Sequence, residues 1–180
     1  MNTREANAER TPSQTVGPFF HEALRWKDGG RVTFSEAGER VVLMGCLFDG
    51  AGDPVADALV ETWQLSPSGS LPATGPSASK PQGFGRVETA QDGTFRIETL
   101  MPGGNGVPFL AVAILARGLL KPLRTRVYLA PEARVRADPG LKPLAASQQL
   151  STLVAQPAGD GQFRWVVRLQ GAGETAFFAT

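Results

Sequence analysis

The chain is poor in the side chains that bind metals or start covalent chemistry. Its 180 residues hold one histidine (His21), one cysteine (Cys46) and one tyrosine (Tyr128). A zinc site takes about four Cys, His or carboxylate ligands, and no HExxH, CxxC or HxH pattern is present. There is no phosphate loop and no GxGxxG fingerprint. A Cys–His nucleophile pair would have to join Cys46 to His21. Cys46 lies in the apolar run LMGCLF, so a buried core thiol is expected. His21 follows a Pro/Gly-rich segment, and a structural or exposed role is expected there. A lone cysteine excludes an internal disulfide framework and fits a reducing cytoplasm.

Charge of one sign is also lacking. Lys plus Arg is 18 and Asp plus Glu is 17, so the basic excess needed for nucleic acid or an anionic membrane is missing. No Lys/Arg run makes up for it. The longest apolar stretch, Val107 to Ala116, contains Pro108 and is too short to span a bilayer. The opening MNTREANAER is polar and has no apolar signal core. A cytoplasmic location is therefore expected.

What the chain does have is punctuation, with 21 glycines and 14 prolines. The pieces between them are short and rich in β-branched and aromatic residues, the texture of an all-β sandwich. One domain is expected, over residues 40–180, preceded by an arm over 1–39. The centre of the arm, TPSQTVGPFF (Thr11 to Phe20), cannot form a central strand or a continuous helix. It is too apolar for a solvated tail, so it needs a surface to lie on.

Strands are expected at Arg40–Phe48, Ala58–Leu65, Gly85–Thr89, Thr94–Thr99, Leu110–Ala116, Leu123–Leu129, Gln162–Leu169 and Thr175–Phe178. Leu110–Ala116, continuously apolar, reads as buried on both faces. The DGAGDP connection after Phe48 and the Gln91-Asp92-Gly93 turn both read as hairpins. Ala145–Val154 is the best helical segment. Ser66–Gln82 and MPGGNGVP read as loops. Asp57 and Glu61 are most simply charges on a solvated strand face. Arg124, Arg126, Arg134 and Arg136 read as another solvated face, partly neutralised by Glu132 and Asp138. Trp63 and Trp165 read as core or interface aromatics.

From TPSQTVGPFFH onward the sequence resembles the intradiol ring-cleavage dioxygenases, and within them the iron-free alpha chains of the protocatechuate-cleaving enzymes. The likeness runs through Leu43-Met44-Gly45, Asp49-Gly50, Val60-Glu61-Thr62-Trp63-Gln64, Phe84-Gly85-Arg86 and Asp92-Gly93-Thr94-Phe95. It continues through Ala116-Arg117-Gly118, Thr125-Arg126-Val127-Tyr128-Leu129 and Phe163-Arg164. It closes on Leu169-Gln170-Gly171, Gly173-Glu174-Thr175 and Phe177-Phe178.

The resemblance implies a β-sandwich of the intradiol type and a partner beta subunit that holds Fe(III) with two tyrosines and two histidines. It sets the histidine pair at Phe109 and Ala111, which cannot ligate a metal. The tyrosine ligands would lie in the Ser66–Gln82 and MPGGNGVP loops, which contain no tyrosine. No metal site is therefore expected on this chain, and no activity without the partner. The arm is expected to pack on the beta subunit, with Thr15, Gly17, Pro18 and Arg117 lining the pocket for a small aromatic carboxylate. Gly17 lets backbone approach a flat ring, Pro18 offers a rigid apolar face, and Arg117 offers a guanidinium for a carboxylate. Two other readings stand beside this one: a non-catalytic binding or scaffold module, and a homomeric enzyme using Cys46.

Overall fold

The computed structural model describes residues 11–72, 82–145 and 147–178. The polar opening decapeptide, most of the Ser66–Gln82 loop and the side chain of His21 lie outside them.

The strands are β1 (Arg40–Phe48), β2 (Leu59–Trp63), β3 (Phe84–Glu88), β4 (Thr94–Leu100), β5 (Phe109–Leu115), β6 (Leu123–Tyr128), β7 (Gln156–Gly159) and β8 (Gln162–Arg168). Among the described residues, the short helix α1 (Phe20–Leu24) precedes β1, and α2 (Glu132–Arg136) and α3 (Lys142–Ala145) lie between β6 and β7. The strands form two four-stranded sheets, ordered β4-β1-β8-β7 and β3-β2-β5-β6. Among the described strands, β1 and β8 pair parallel and the other neighbours pair antiparallel.

Alternation in the sequence sets which side chains meet between the sheets. From the first sheet Val41, Leu43, Leu47, Phe95, Ile97, Trp165 and Val167 turn inward. Val60, Leu110, Val112, Ile114 and Val127 oppose them from the second. Trp165 is buried, and its indole N–H donates to the Thr152 carbonyl at 2.8 Å, which removes the cost of an unpaired donor in the core. A smaller cluster packs Tyr128 with Val135, Leu141, Leu150, Leu153 and Val154 under the excursion between β6 and β7.

Several expectations differ from the structure. Both presumed hairpins are corners between the sheets: β1 and β2 lie in different sheets, as do β3 and β4. After β1, Asp49 Oδ1 accepts from Ala51 N and Asp53 N at 2.9 Å, and the chain then crosses over. At Gln91-Asp92-Gly93 the tight turn is present, closed by Gly93 N to Ala90 O at 2.8 Å. Beyond it Thr89 bonds Ala58 in the second sheet, while Gly93 O accepts from Leu47 N in the first.

β5 is buried on one face only; Phe109, Ala111, Ala113 and Leu115 are half-buried on the other. The Ala145–Val154 segment is α3 followed by a 3-10 stretch over Gln148–Leu153. There the Ser151 and Thr152 hydroxyls donate to the carbonyls three residues back, competing with an α-helical ladder. Thr175–Phe178 forms one bridge, Arg124 to Phe178, rather than a strand. Thr175 is instead bonded to Arg168, by its own N–H to the carbonyl and by its hydroxyl from the Arg168 N–H.

The arm lies along its own sandwich for much of its length. Gly29 O accepts from Arg86 N at 2.8 Å, and Gly30 O accepts from Glu98 N at 2.7 Å, so the segment ties β3 to β4. Those two glycines are obligatory by contact: a Cβ on Gly29 would sit 2.0 Å from the Arg86 carbonyl oxygen, and one on Gly30 would sit 2.5 Å from that of Arg96.

Candidate functional site

The turn after β5 is where the arm and the sandwich meet. Leu119 N donates to Ala116 O at 3.2 Å, closing a four-residue turn. Gly118 takes the third position with φ +88°, where a type II turn requires glycine. Arg117 takes the second position and points away from the core, with 61% of its side chain exposed. Its Nε and Nη2 both donate to Oδ2 of Asp57. Asp57 sits just before β2, next to Ala58, which is buried and whose N–H donates to Thr89 Oγ1 at 3.0 Å. The carboxylate therefore stands on a fixed piece of backbone.

The arm docks on the same turn. Thr15 Oγ1 accepts from Gly118 N at 2.9 Å, across 103 positions of sequence. Val16, half-buried, borders a small cleft with Leu115, Leu119 and Pro122. The chain then bends, with Phe20 N donating to Gly17 O at 3.2 Å, and Phe20 turns into the protein. Gly17, Pro18 and Phe19 stay outside; Phe19 is 71% exposed, and among the described residues no heavy atom beyond Gly17 and its chain neighbours lies within 4 Å of a Cβ built on Gly17. The structure thus links the Thr15 side chain to the Arg117 turn and holds Gly17 and Pro18 two and three residues further along.

Hydrogen-bond accounting shows what this edge offers. The Thr15 oxygen already accepts, which among the described residues leaves its O–H free to donate. Asp57 occupies the Nε/Nη2 side of the guanidinium, which leaves the Nη1 end among the described residues. Donors beside an apolar Gly-Pro-Phe tip suit a flat group that carries an acceptor-only carboxylate.

The outward face of the second sheet is a separate surface. Arg86 grips Glu61 at 2.6 and 2.8 Å, with both side chains less than a fifth exposed. The Arg86 guanidinium lies 5.0 Å from the Trp26 ring and 5.3 Å from that of Phe84. Trp63 leans on Phe84 at 4.2 Å and is 45% exposed. Phe109 and Ala111, the positions to which the resemblance assigns the histidine pair, face outward on β5 beside Tyr128 and Arg126. Phe109 lies under the Arg126 guanidinium at 4.6 Å and 5.5 Å from the Tyr128 ring. Phenyl and methyl groups donate nothing to ferric ion. Among the described residues no group of three or more His, Cys, Asp or Glu is placed to hold a metal. The side chains at these positions do not fit the iron that the family uses.

Two sequence expectations change here, and one contact was not anticipated. Asp57 and Glu61 are neither a carboxylate pair nor solvated charges; each is taken by its own arginine. Cys46 is half-buried on the outward face of β1, not in the core, because inward positions on that strand fall on Leu43, Gly45 and Leu47. Burial pushes its thiol pKa up, and the nearby Asp92 carboxylate adds to the rise. Asp57 was missed as a partner of Arg117 because 60 residues separate them and DALVETW carries no local sign of the contact.

A family model described as Dioxygenase matches residues 15–128, a span that begins at Thr15 and includes Arg117. The protocatechuate 3,4-dioxygenase alpha chain of Burkholderia cepacia is 36% identical over 191 aligned residues, covering 94% of this chain and 97% of that one. This chain belongs to the intradiol dioxygenase family. The alpha chain of the Pseudomonas putida enzyme is 32% identical, covering 93% of this chain and 95% of its own length. The match to the Burkholderia cepacia beta chain is shorter, 31% identical over 51% of this chain and 40% of that one. Among solved structures, the dioxygenase domain of a carbohydrate-binding fusion from Streptomyces sp. SirexAA-E superposes with a TM-score of 0.57 at 24% identity, covering 91% of this chain and all of that one. The intradiol dioxygenase family therefore accounts for the sandwich, and the two near-full-length sequence relatives named here are alpha chains.

Proposed function

We propose that this chain is the iron-free alpha subunit of a protocatechuate 3,4-dioxygenase. It acts in a cytoplasmic hetero-oligomer with a beta subunit that holds Fe(III), in the intradiol cleavage of protocatechuate by O₂ to 3-carboxy-cis,cis-muconate within the β-ketoadipate pathway. Full-length similarity to alpha chains supports the subunit type. The observation that carries the role is the exposed edge at Thr15, Gly17, Pro18 and Arg117: an apolar tip beside hydrogen-bond donors, open on one side.

Iron bound in the beta subunit supplies the O₂ chemistry. The present chain supplies a wall. Gly17 and Pro18 lie flat against the ring, and the Thr15 hydroxyl and the Nη1 end of Arg117 donate toward its carboxylate. Covering this edge with the beta subunit removes water and strengthens each of those interactions. No nucleic acid or membrane takes part.

Coexpression with a beta chain, followed by iron analysis and an O₂-uptake assay, tests this. Iron and activity are expected in the complex and neither on the lone chain; stoichiometric iron or turnover without the partner refutes it. Within the complex, Arg117→Ala should raise KM for protocatechuate roughly 10- to 100-fold, the worth of one charge-assisted hydrogen bond, with iron content unchanged.

A further inference from the structure

We propose that Asp57 is a positioning residue for the substrate carboxylate, acting through Arg117; this rests on the alpha-subunit reading above. Arg117 stands on an exposed turn, and among the described residues Asp57 is its only ion-pair partner. An arginine so placed would otherwise sample many rotamers, and ordering it when substrate arrives would cost binding free energy.

Asp57 removes most of that cost beforehand. One carboxylate oxygen receives both Nε and Nη2, which fixes the guanidinium plane side-on. The Nη1 end, and the second Nη2 proton, then point away from Asp57. A bound carboxylate is thereby restricted to an end-on approach. The arm is registered against the same arginine through the next residue, because Thr15 accepts from the Gly118 N–H. Asp57, Arg117 and Thr15 therefore form one unit that holds two donors at a fixed offset.

The negative charge of Asp57 opposes this benefit, since it weakens the attraction of Arg117 for an anion. The two effects predict opposite signs, which makes the role testable. If orientation dominates, removing Asp57 weakens binding; if charge competition dominates, removal tightens it. The double contact to one oxygen favours orientation, because it places the two charges in register and leaves a free guanidinium edge for a second anion.

The test uses the complex with the beta chain. Asp57→Ala should raise KM for protocatechuate roughly five- to tenfold, the factor for reordering a released arginine, with kcat nearly unchanged. Asp57→Asn, which keeps the shape and an acceptor, should give a smaller rise in the same direction; it also serves if the alanine variant fails to fold. Catechol, with the same diol and no carboxylate, should keep its inhibition constant in both variants. A fall in KM for protocatechuate, or equal losses for both ligands, overturns the positioning role. Arg117→Ala separates the two levels. If that variant weakens protocatechuate and Asp57→Ala does not, only the positioning role falls. If neither variant changes KM, the alpha-subunit reading of this edge falls with it.

Discussion

Replacing Gly45 by alanine should destabilise the sandwich through a single contact. Gly45 lies in the middle of β1 on its inward face, opposite Phe95 of β4. A Cβ built there would sit 2.0 Å from Phe95 Cζ, 2.3 Å from Cε1 and 2.5 Å from Cε2. Carbon pairs prefer roughly 3.5–4.0 Å, so the ring must retreat by about 1.5 Å. The ring is already fixed by its neighbours, among them Trp165, whose ring centroid is 6.5 Å away and perpendicular. Both aromatics are buried, and the interior around them is close-packed. Overpacking of this kind costs about 1–3 kcal/mol. For a chain of this length each kcal/mol lowers Tm by about 2–4 °C. Urea titration of Gly45→Ala, Phe95→Leu and the double variant measures the effect, with Trp fluorescence as the probe. The single variants should each be destabilised, and the double variant should be at least 1 kcal/mol more stable than their sum, because leucine vacates the space that the new methyl needs. Additive losses, or a Gly45→Ala variant as stable as the parent, would refute the contact as the cause.

Two further outcomes follow from the site and its surroundings. Thr15→Val keeps the shape and removes the acceptor for Gly118 N, so hydrogen exchange at the Gly118 amide should accelerate while Tm changes little, the bond being exposed and worth at most about 1 kcal/mol; equal exchange in both proteins would mean that the arm does not dock there in solution. The Cys46 thiol, raised by burial and then by Asp92, should react with iodoacetamide only at higher pH than an unhindered cysteine, since the thiolate is the reactive form; Asp92→Asn should move the profile part of the way back, and a parent profile at or below that of free cysteine would contradict the assignment.

The strands of this fold are legible in the sequence because alternation is a local signal. RVVLMGCLF and QFRWVVRL carry the period that puts Val41, Leu43 and Leu47, and Trp165 and Val167, on one side. Pairing is not local. An Asp-Gly turn reads the same whether the chain folds back beside itself or rounds a corner into the opposite sheet. At Gln91-Asp92-Gly93 long-range contacts decide for the corner: the pairing of β3 with β2 and of β4 with β1, and the bonds of Thr89 to Ala58 and of Leu47 to Gly93. The short helices were invisible for a related reason: five residues at α1 or α2 carry too few periods to stand out. At the site, Thr15, Gly17, Pro18 and Arg117 came from resemblance rather than from any pattern. Their proximity emerges only on folding, when the chain brings Thr15 to the Arg117 turn across 103 positions of sequence.

The same geometry explains how a chain of this family can keep its fold while carrying Phe109 and Ala111 where the resemblance assigns histidines. Positions i and i+2 of a strand share a face, so an HxH pair on β5 would aim both rings at one point outside the sandwich. That face is the half-buried one; the core is built from Leu110, Val112 and Ile114 on the other. Exchanging donors for phenyl and methyl groups therefore leaves the sandwich interior untouched. It also adds packing: Phe109 gains the Arg126 guanidinium at 4.6 Å and the Tyr128 ring at 5.5 Å, contacts that need no metal to hold the rings in place. Loss of ligands and retention of fold are compatible here because the two depend on alternate residues of one strand. A substitution at Leu110, one position away, would reach the core instead and cost about 2–5 kcal/mol on truncation to alanine.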